Sequence, residues 1–237
     1  MIARQLIPRF VVLAAGLVAS CARNPAAPPS EQLDHVILGI SNLDRGIEQL
    51  GAVCGVKPVP GGKHPDTGTH NALLSMGSRS YAEVLAPQDG AQLAPLYQPL
   101  RAVANLLPVG WAVATRDADL TIQKLRAGGY AVSEPQEGSR QTTDGSMIRW
   151  RTFQLTAPKI DGAPFFIEWE AASAHPATTS PVGCPLLSLE LRTPHDEELR
   201  RLLSLLKVQG RVSRNEASQL IVTLKGSRGP TRLPGGD

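Results

Sequence analysis

Two arginines in a strand-like segment are the first residues whose spacing suggests chemistry. Arg149 and Arg151 flank Trp150, so in a strand both guanidinium groups share one face and the indole takes the other. If that face lines a cleft, the two arginines would bind a carboxylate-bearing substrate, because a guanidinium pairs with a carboxylate through two hydrogen bonds. A solvent-exposed strand face is an equally good interpretation of the same spacing.

A glycine-rich loop carries a second group of candidates. The segment GGKHPDTGTHN, residues 61–71, contains His64, His70 and Asn71. Polar side chains in a loop that enters a strand are well placed to meet a ligand, and we predict that His64 and Asn71 bind substrate. The alternative is that the glycines only permit tight turns and that Asn71 caps local backbone.

These candidates lie within a pattern that occurs three times along the chain. The pattern D-x-x-[IL]-x-x-L begins at Asp44, Asp119 and Asp196, at nearly equal spacings of 75 (119 − 44) and 77 (196 − 119) residues. Apolar residues three apart behind an acidic residue predict a helix with a negatively charged first turn. Asn42 and Asp117 are the predicted N-caps of the first two helices. Chance similarity of three amphipathic helices is the alternative.

Segments typical of β-strands surround each predicted helix. A strand is predicted before each helix, at residues 36–40, 111–115 and 186–191. Further strands are predicted after them, at 71–76, 81–85, 147–155, 165–169, 211–213 and 219–224, with a chain break at 58–62 and no structure from 226 onward. Each full copy therefore has the order βαβββ. The predicted fold is α+β, with modules at 33–90 and 107–172 around one cleft and a partial third βαββ module at 181–237.

Four segments resemble a known family. They are LDHVILGI (33–40), GGKHP with GTHNALL (61–74), YAEVLAP (81–87) and PFFIEW with HP (164–176). Their sequences are similar to glyoxalase-like domains of the vicinal oxygen chelate superfamily. The resemblance implies paired modules that close around a cleft, and it leaves the position of His70 without a role.

The resemblance also implies a set of ligands. In metal-using members of the superfamily, the first and last strands of each module supply them. Carried over by position, they are His35 and Glu83 in the first module and Glu168 in the second, where Gly110 matches His35. One imidazole and two carboxylates would suit Fe(II), Mn, Ni or Zn, which would stabilise an enediolate or bind O₂. The alternative is that both carboxylates only form hydrogen bonds between the modules.

The N-terminal sequence predicts export. Arg4 and Arg9 precede an apolar stretch at residues 10–17, which is shorter than a membrane span. The residues VASC at 18–21 resemble a bacterial lipobox. We therefore expect a signal peptide at 1–20, a lipidated Cys21 and a proline-rich tether at 21–32, which would anchor the protein in the cell envelope, facing the periplasm. An ordinary signal peptide with an incidental cysteine is the alternative.

The other two cysteines and the composition set further bounds. Cys54 and Cys184 lie far apart in sequence and show no disulfide framework, so two buried free thiols are expected, although export would permit a disulfide. A hydrophobic fraction of 42 % indicates a globular protein. The net charge of +3 comes without a basic stripe, which argues against nucleic-acid binding. The sequence lacks motifs for a serine nucleophile, a phosphate loop or a metalloprotease helix.

The combined prediction is a glyoxalase-like envelope enzyme, a lyase, isomerase or dioxygenase that acts on a small oxygenated molecule. The alternative is a lipoprotein that binds a small ligand and has lost the metal and the catalysis. Trp111 and Trp169 are expected in the core or the cleft wall. Relatives dimerise through their sheets, so either a homodimer forms or the third copy takes the place of the second subunit.

Overall fold

The structure is a computed structural model that describes residues 32–77, 79–142 and 145–233. The predicted signal peptide, Cys21 and nearly all of the tether lie outside the described residues. Within the described ranges, no helix has the length and apolar character needed to cross a membrane.

The first module contains one helix and four strands. They are β1 (Gln32–Gly39), α1 (Leu43–Cys54), β2 (Val59–His64), β3 (Thr69–Ser75) and β4 (Tyr81–Pro87). The predicted cap of α1 is confirmed, because the side chain of Asn42 accepts a hydrogen bond from the backbone N–H of Arg45. The predicted break at 58–62 is wrong, since β2 begins there and pairs with β3. As the outermost strand of its sheet, β2 tolerates the missing N–H of Pro60.

The second module follows after a 3-10 helix (Pro95–Ala102). It contains β5 (Leu107–Ala114), α2 (Ala118–Ala127), β6 (Ala131–Val132), β7 (Gln136–Gln141), β8 (Met147–Ala157) and β9 (Phe165–Trp169). The side chain of Asp117 caps α2 by accepting from the N–H of Leu120, as the sequence predicts. A four-residue helix, α3 (Pro176–Thr179), then leads away from β9.

The two modules share one large sheet, with the strand order β2-β3-β4-β1-β5-β9-β8-β6 and with β7 paired to β8. They meet where β1 runs antiparallel to β5, and there Val36 lies opposite Trp111. These two residues differ by the repeat spacing of 75 (111 − 36), so the approximate two-fold axis between the modules passes close to them. Each of the two strands also pairs in parallel with the last strand of its own module. The predicted α+β fold of paired βαβββ modules is confirmed.

The C-terminal unit has a sheet of its own. It contains β10 (Leu186–Thr193), α4 (Asp196–Leu206), β11 (Arg211–Arg214), β12 (Gln219–Gly226) and β13 (Gly229–Leu233), in the order β11-β10-β12-β13. The prediction of no structure after residue 226 is wrong, because β13 forms a hairpin with β12. In addition, β11 pairs in parallel with β10, the first strand of the unit. In the first module, the strand that pairs in parallel with the first strand is the last one, β4. The strand that follows α4 therefore has a different place in its sheet from β2, the strand that follows α1.

One hydrophobic core connects all three units. Leu50 of α1, Leu125 of α2 and Leu199 of α4 are fully buried in the same cluster. Cys54 and Cys184 form a disulfide, so the prediction of free thiols is wrong. The end of α1 lies against the segment that precedes β10 and brings the two Cα atoms within 5.1 Å. This proximity depends on tertiary packing, which the cysteine spacing does not encode.

Candidate functional site

A cavity of about 630 Å³ lies on one face of the large sheet and is lined by both modules. Four of the predicted site residues meet there: His35 from β1, His64 from β2, Asn71 from β3 and Glu83 from β4. They meet because β2, β3, β4 and β1 are neighbours in the sheet, and residues two apart on one strand share a face. His70 lies between Thr69 and Asn71 on β3, and both of these neighbours line the cavity whereas His70 does not.

The imidazole of His35 is held by its sequence neighbour. His35 Nδ1 lies 2.7 Å from Oδ1 of Asp34, and both side chains are buried. Adjacent strand residues normally point to opposite faces. Here a register shift between Leu33 and His35 in the β1–β5 pairing interrupts the alternation and allows Asp34 to reach its neighbour's ring. No sequence signal marks this irregularity, so Asp34 was not among the predicted site residues.

Asp34 accepts two further hydrogen bonds. Its Oδ2 lies 2.9 Å from Nε1 of Trp169 and 3.0 Å from Nε2 of His175. Nδ1 of His175 accepts from the N–H of Ala177 at the start of α3, so Nε2 of the same ring carries the proton donated to Asp34. Burial alone would raise the pKa of Asp34, but the hydrogen bonds from His175 and His35 outweigh burial and lower the pKa to about 2. Asp34 is therefore a charged acceptor, and Nδ1 of His35 is the donor.

The other nitrogen of the same ring faces a second carboxylate. His35 Nε2 lies 3.6 Å from Oε2 of Glu83, and Asn71 Nδ2 donates to Oε1 of Glu83 at 2.7 Å. His64 Nε2 lies 3.4 Å from the same amide nitrogen, and burial lowers the pKa of His64, which keeps its ring neutral. A Cβ at Gly61 would lie 2.3 Å from Asn71 Oδ1. Glycine at this position therefore allows the amide to reach Glu83.

The second module contributes apolar groups where the first contributes His35 and Glu83. Ile37 pairs with Glu83 between β1 and β4, and its counterpart 75 residues later (37 + 75), Ala112, pairs with Phe165 between β5 and β9. Phe165 therefore takes the position of Glu83, and the assignment of Glu168 to that position is incorrect. Sequence similarity placed the match three residues away, on the other face of β9.

Glu168 lies outside the cavity. Its Oε1 accepts from the backbone N–H of Ala118 at the start of α2, and its Oε2 pairs with Arg151 at 2.5 Å. Arg149 is also outside and lies 3.9 Å from Glu170. The prediction that the two arginines face the cleft is wrong. Their shared face is the outer one, whereas Trp150 lines the cavity.

The residues present do not fit the metal site of the superfamily. Gly110 and Phe165 offer no donor atom at the two positions of the second module. Among the residues that the structure describes, no group of three or more His, Cys, Asp or Glu side chains is placed to hold a metal ion. The predicted set of His35, Glu83 and Glu168 for Fe, Mn, Ni or Zn is therefore not assembled.

Sequence reasoning missed several residues of the site. Arg140 of β7, Tyr81 of β4 and Trp150 of β8 all line the cavity. Tyr81 stacks on His35 at a ring distance of 4.7 Å. The alternation of β4 could have indicated Tyr81, which lies two residues before Glu83. Arg140 had no such signal, because β7 was not predicted as a strand.

A paired-module sheet with a cavity between the modules defines a protein of the glyoxalase-like class. The family model described as glyoxalase-like domain matches residues 33–206, and the chain belongs to this family. A hypothetical protein from Staphylococcus aureus has a similar structure, with a TM-score of 0.61 and 18 % identity over 87 % of this chain and 86 % of that one. Methylmalonyl-CoA epimerase from Mycobacterium tuberculosis shows a TM-score of 0.41 and 22 % identity over 64 % of this chain and 95 % of that one. No curated protein matches the sequence.

Proposed function

We propose that this glyoxalase-like protein is a lyase or isomerase that moves a proton on a small oxygenated substrate, with His35 and Glu83 as the acid–base pair. One observation carries the proposal: Asp34 binds Nδ1 of His35 and leaves Nε2 directed towards Glu83 inside the cavity. A carboxylate that fixes the tautomer of an imidazole prepares its second nitrogen for general acid–base catalysis.

The chemistry follows from this arrangement. A proton on a carbon next to a carbonyl group would pass to Nε2 of His35 or to Glu83, and the substrate would become an enolate, or an enediolate if that carbon also carries a hydroxyl group. The protonated group would return that proton to another atom or to the opposite face of the same carbon. Asn71 holds Glu83 in place through a 2.7 Å hydrogen bond, and neutral His64 lines the same cavity beside the Asn71 amide. Because the metal donor set is incomplete, no step uses a metal.

The test monitors by NMR whether the protein exchanges carbon-bound protons of a substrate for deuterium in D₂O. The panel of compounds comprises 2-hydroxy acids, 2-oxo acids, aldehydes and hemithioacetals. We expect protein-dependent deuterium incorporation next to a carbonyl group in at least one class of compound. A panel that binds without exchange would contradict catalysis.

A second candidate is a small-ligand-binding protein without catalysis. Gly110 and Phe165 favour it, because they replace both polar positions of the second module with groups that cannot bind metal or protons. Binding without exchange is the result that this candidate predicts, so the same experiment separates the two functions.

We also propose that the protein is a lipid-anchored component of the cell envelope. The lipobox-like VASC at residues 18–21 supports this proposal, and so does the Cys54–Cys184 disulfide, since disulfides persist mainly in exported proteins.

Replacing Cys21 with serine is expected to abolish lipid attachment, because the thiol is the acceptor of the lipid. The measurement is incorporation of labelled palmitate into the protein, together with its distribution between membrane and soluble fractions. A Cys54→Ser variant is the control and is expected to keep the label. Label retained in Cys21→Ser, or absent from the wild type, would contradict the anchor.

A further inference from the structure

Arg140 is a buried cation without a carboxylate partner among the residues that the structure describes. Its side chain on β7 is 5 % exposed, and its Nη1 donates to the backbone carbonyl of Gly61. Among the described residues, no Asp or Glu oxygen lies within the 4.0 Å of an ion pair with this guanidinium. In contrast, the outward-facing Arg151 pairs closely with Glu168.

Burial without a counterion is unfavourable for a charged group. Burial lowers the pKa of Arg140, while Tyr81 and Glu83 act on it only through longer-range attraction. Buried charges in proteins are normally paired. An unpaired guanidinium that lines a cavity is therefore expected to meet its anion in a ligand, because the planar fork matches a carboxylate.

The guanidinium belongs to the same cavity as the acid–base pair. Arg140 lines it together with His35 and Glu83, and the indoles of Trp150 and Trp169 form part of the wall. Gly62 provides the space, since a Cβ at this residue would lie 3.2 Å from Arg140 Cδ. A ligand anchored at Arg140 would thus extend along aromatic and apolar groups towards the imidazole.

We propose that Arg140 binds the carboxylate of the substrate, so that the site takes small organic acids with an apolar or aromatic part. This inference rests on the proposed function and narrows its substrate class. It transfers the role that the sequence suggested for Arg149 and Arg151 to a residue that the fold places inside the cavity.

The test is calorimetric titration of the full mature protein with matched pairs of compounds, each a carboxylic acid and its amide. Phenyllactate with phenyllactamide and phenylacetate with phenylacetamide provide two pairs. The acids are expected to bind roughly 10- to 100-fold more tightly than the amides, because charge-assisted bidentate hydrogen bonds are lost in the amide. Arg140→Gln is expected to remove this preference, and Arg140→Lys to retain only part of it.

Arg149→Gln is the matched control, because this arginine lies on the neighbouring strand but faces outward, and it is expected to keep the full preference. Equal binding of acid and amide by the wild type overturns the proposal, as does a lack of binding by all acids at millimolar concentration or tighter binding of phenyl phosphate. If Arg140→Gln does not fold, the proposal is still tested by Arg140→Lys and by the affinities of the wild type for the acids and the amides. His35→Asn is expected to bind the acids more tightly than the amides, as the wild type does, because the carboxylate contact does not involve the imidazole. If the wild type shows an Arg140-dependent preference for acids but no proton exchange, the proposed enzymatic activity is refuted and the carboxylate-binding site is supported.

Discussion

Replacing His35 with asparagine or Glu83 with glutamine is expected to lower the rate of proton exchange about 10²- to 10⁴-fold, the usual contribution of a positioned acid or base. Each change removes the proton-accepting group and keeps a polar side chain of similar shape. In Glu83→Gln, the new amide oxygen can still accept the hydrogen bond from Asn71. The fold should therefore persist, and the loss should appear in the rate of deuterium incorporation measured by NMR.

Glu168→Gln is the informative control for this pair. Sequence similarity assigned Glu168 to the same catalytic set, whereas the structure pairs it with Arg151 outside the cavity. Its exchange rate should stay close to that of the wild type. An equal loss in Glu168→Gln and Glu83→Gln would show that both modules contribute carboxylates, contrary to the assignment of Phe165 to the second position.

Removal of the Cys54–Cys184 disulfide is expected to destabilise the fold by about 3–5 kcal/mol, because it closes a loop across 130 residues of sequence. For a chain of this size the loss corresponds to a fall in melting temperature of roughly 10 °C. The variant is Cys54→Ala with Cys184→Ala, and the measurement is thermal unfolding followed by circular dichroism, with and without a reductant.

The comparison with and without reductant distinguishes the contribution of the disulfide bond to stability from that of the packing of the two side chains. Wild-type protein should lose stability when it is reduced, and the double variant should not respond. Peptides containing Cys54 and Cys184 should resist alkylation before reduction. Full alkylation of both thiols in native protein would contradict the bond.

The local rules predicted most of the fold. Acidic residues ahead of apolar repeats, with Asn42 and Asp117 as caps, correctly predicted the helices, because capping depends on neighbours within a few residues. Residues 165–169 were predicted as a strand and form β9. β2 was missed because glycine and proline usually end strands, and only its place at the sheet edge makes them acceptable.

The family resemblance predicted His35 and Glu83, because it places the site residues on the first and last strands of the first module. Strand alternation alone was less informative. Period-two alternation shows that Arg149 and Arg151 share a face, but it does not say which face meets the cavity. Glu168 was matched to Glu83 in place of Phe165, and because the two residues are three apart, their side chains lie on opposite faces of β9. Asp34 depends on an irregularity in strand pairing, which only the paired strands reveal.

The ¹⁵N NMR spectrum of the His35 imidazole tests the acid–base site most directly and requires no substrate. Loss of its signals in His35→Asn would assign them among the five histidines of the chain. We predict a protonated Nδ1 that is strongly hydrogen-bonded to Asp34, and an Nε2 signal that moves in Glu83→Gln. An unprotonated Nδ1, with the proton held on Nε2, would contradict the proposed roles of Asp34 and His35.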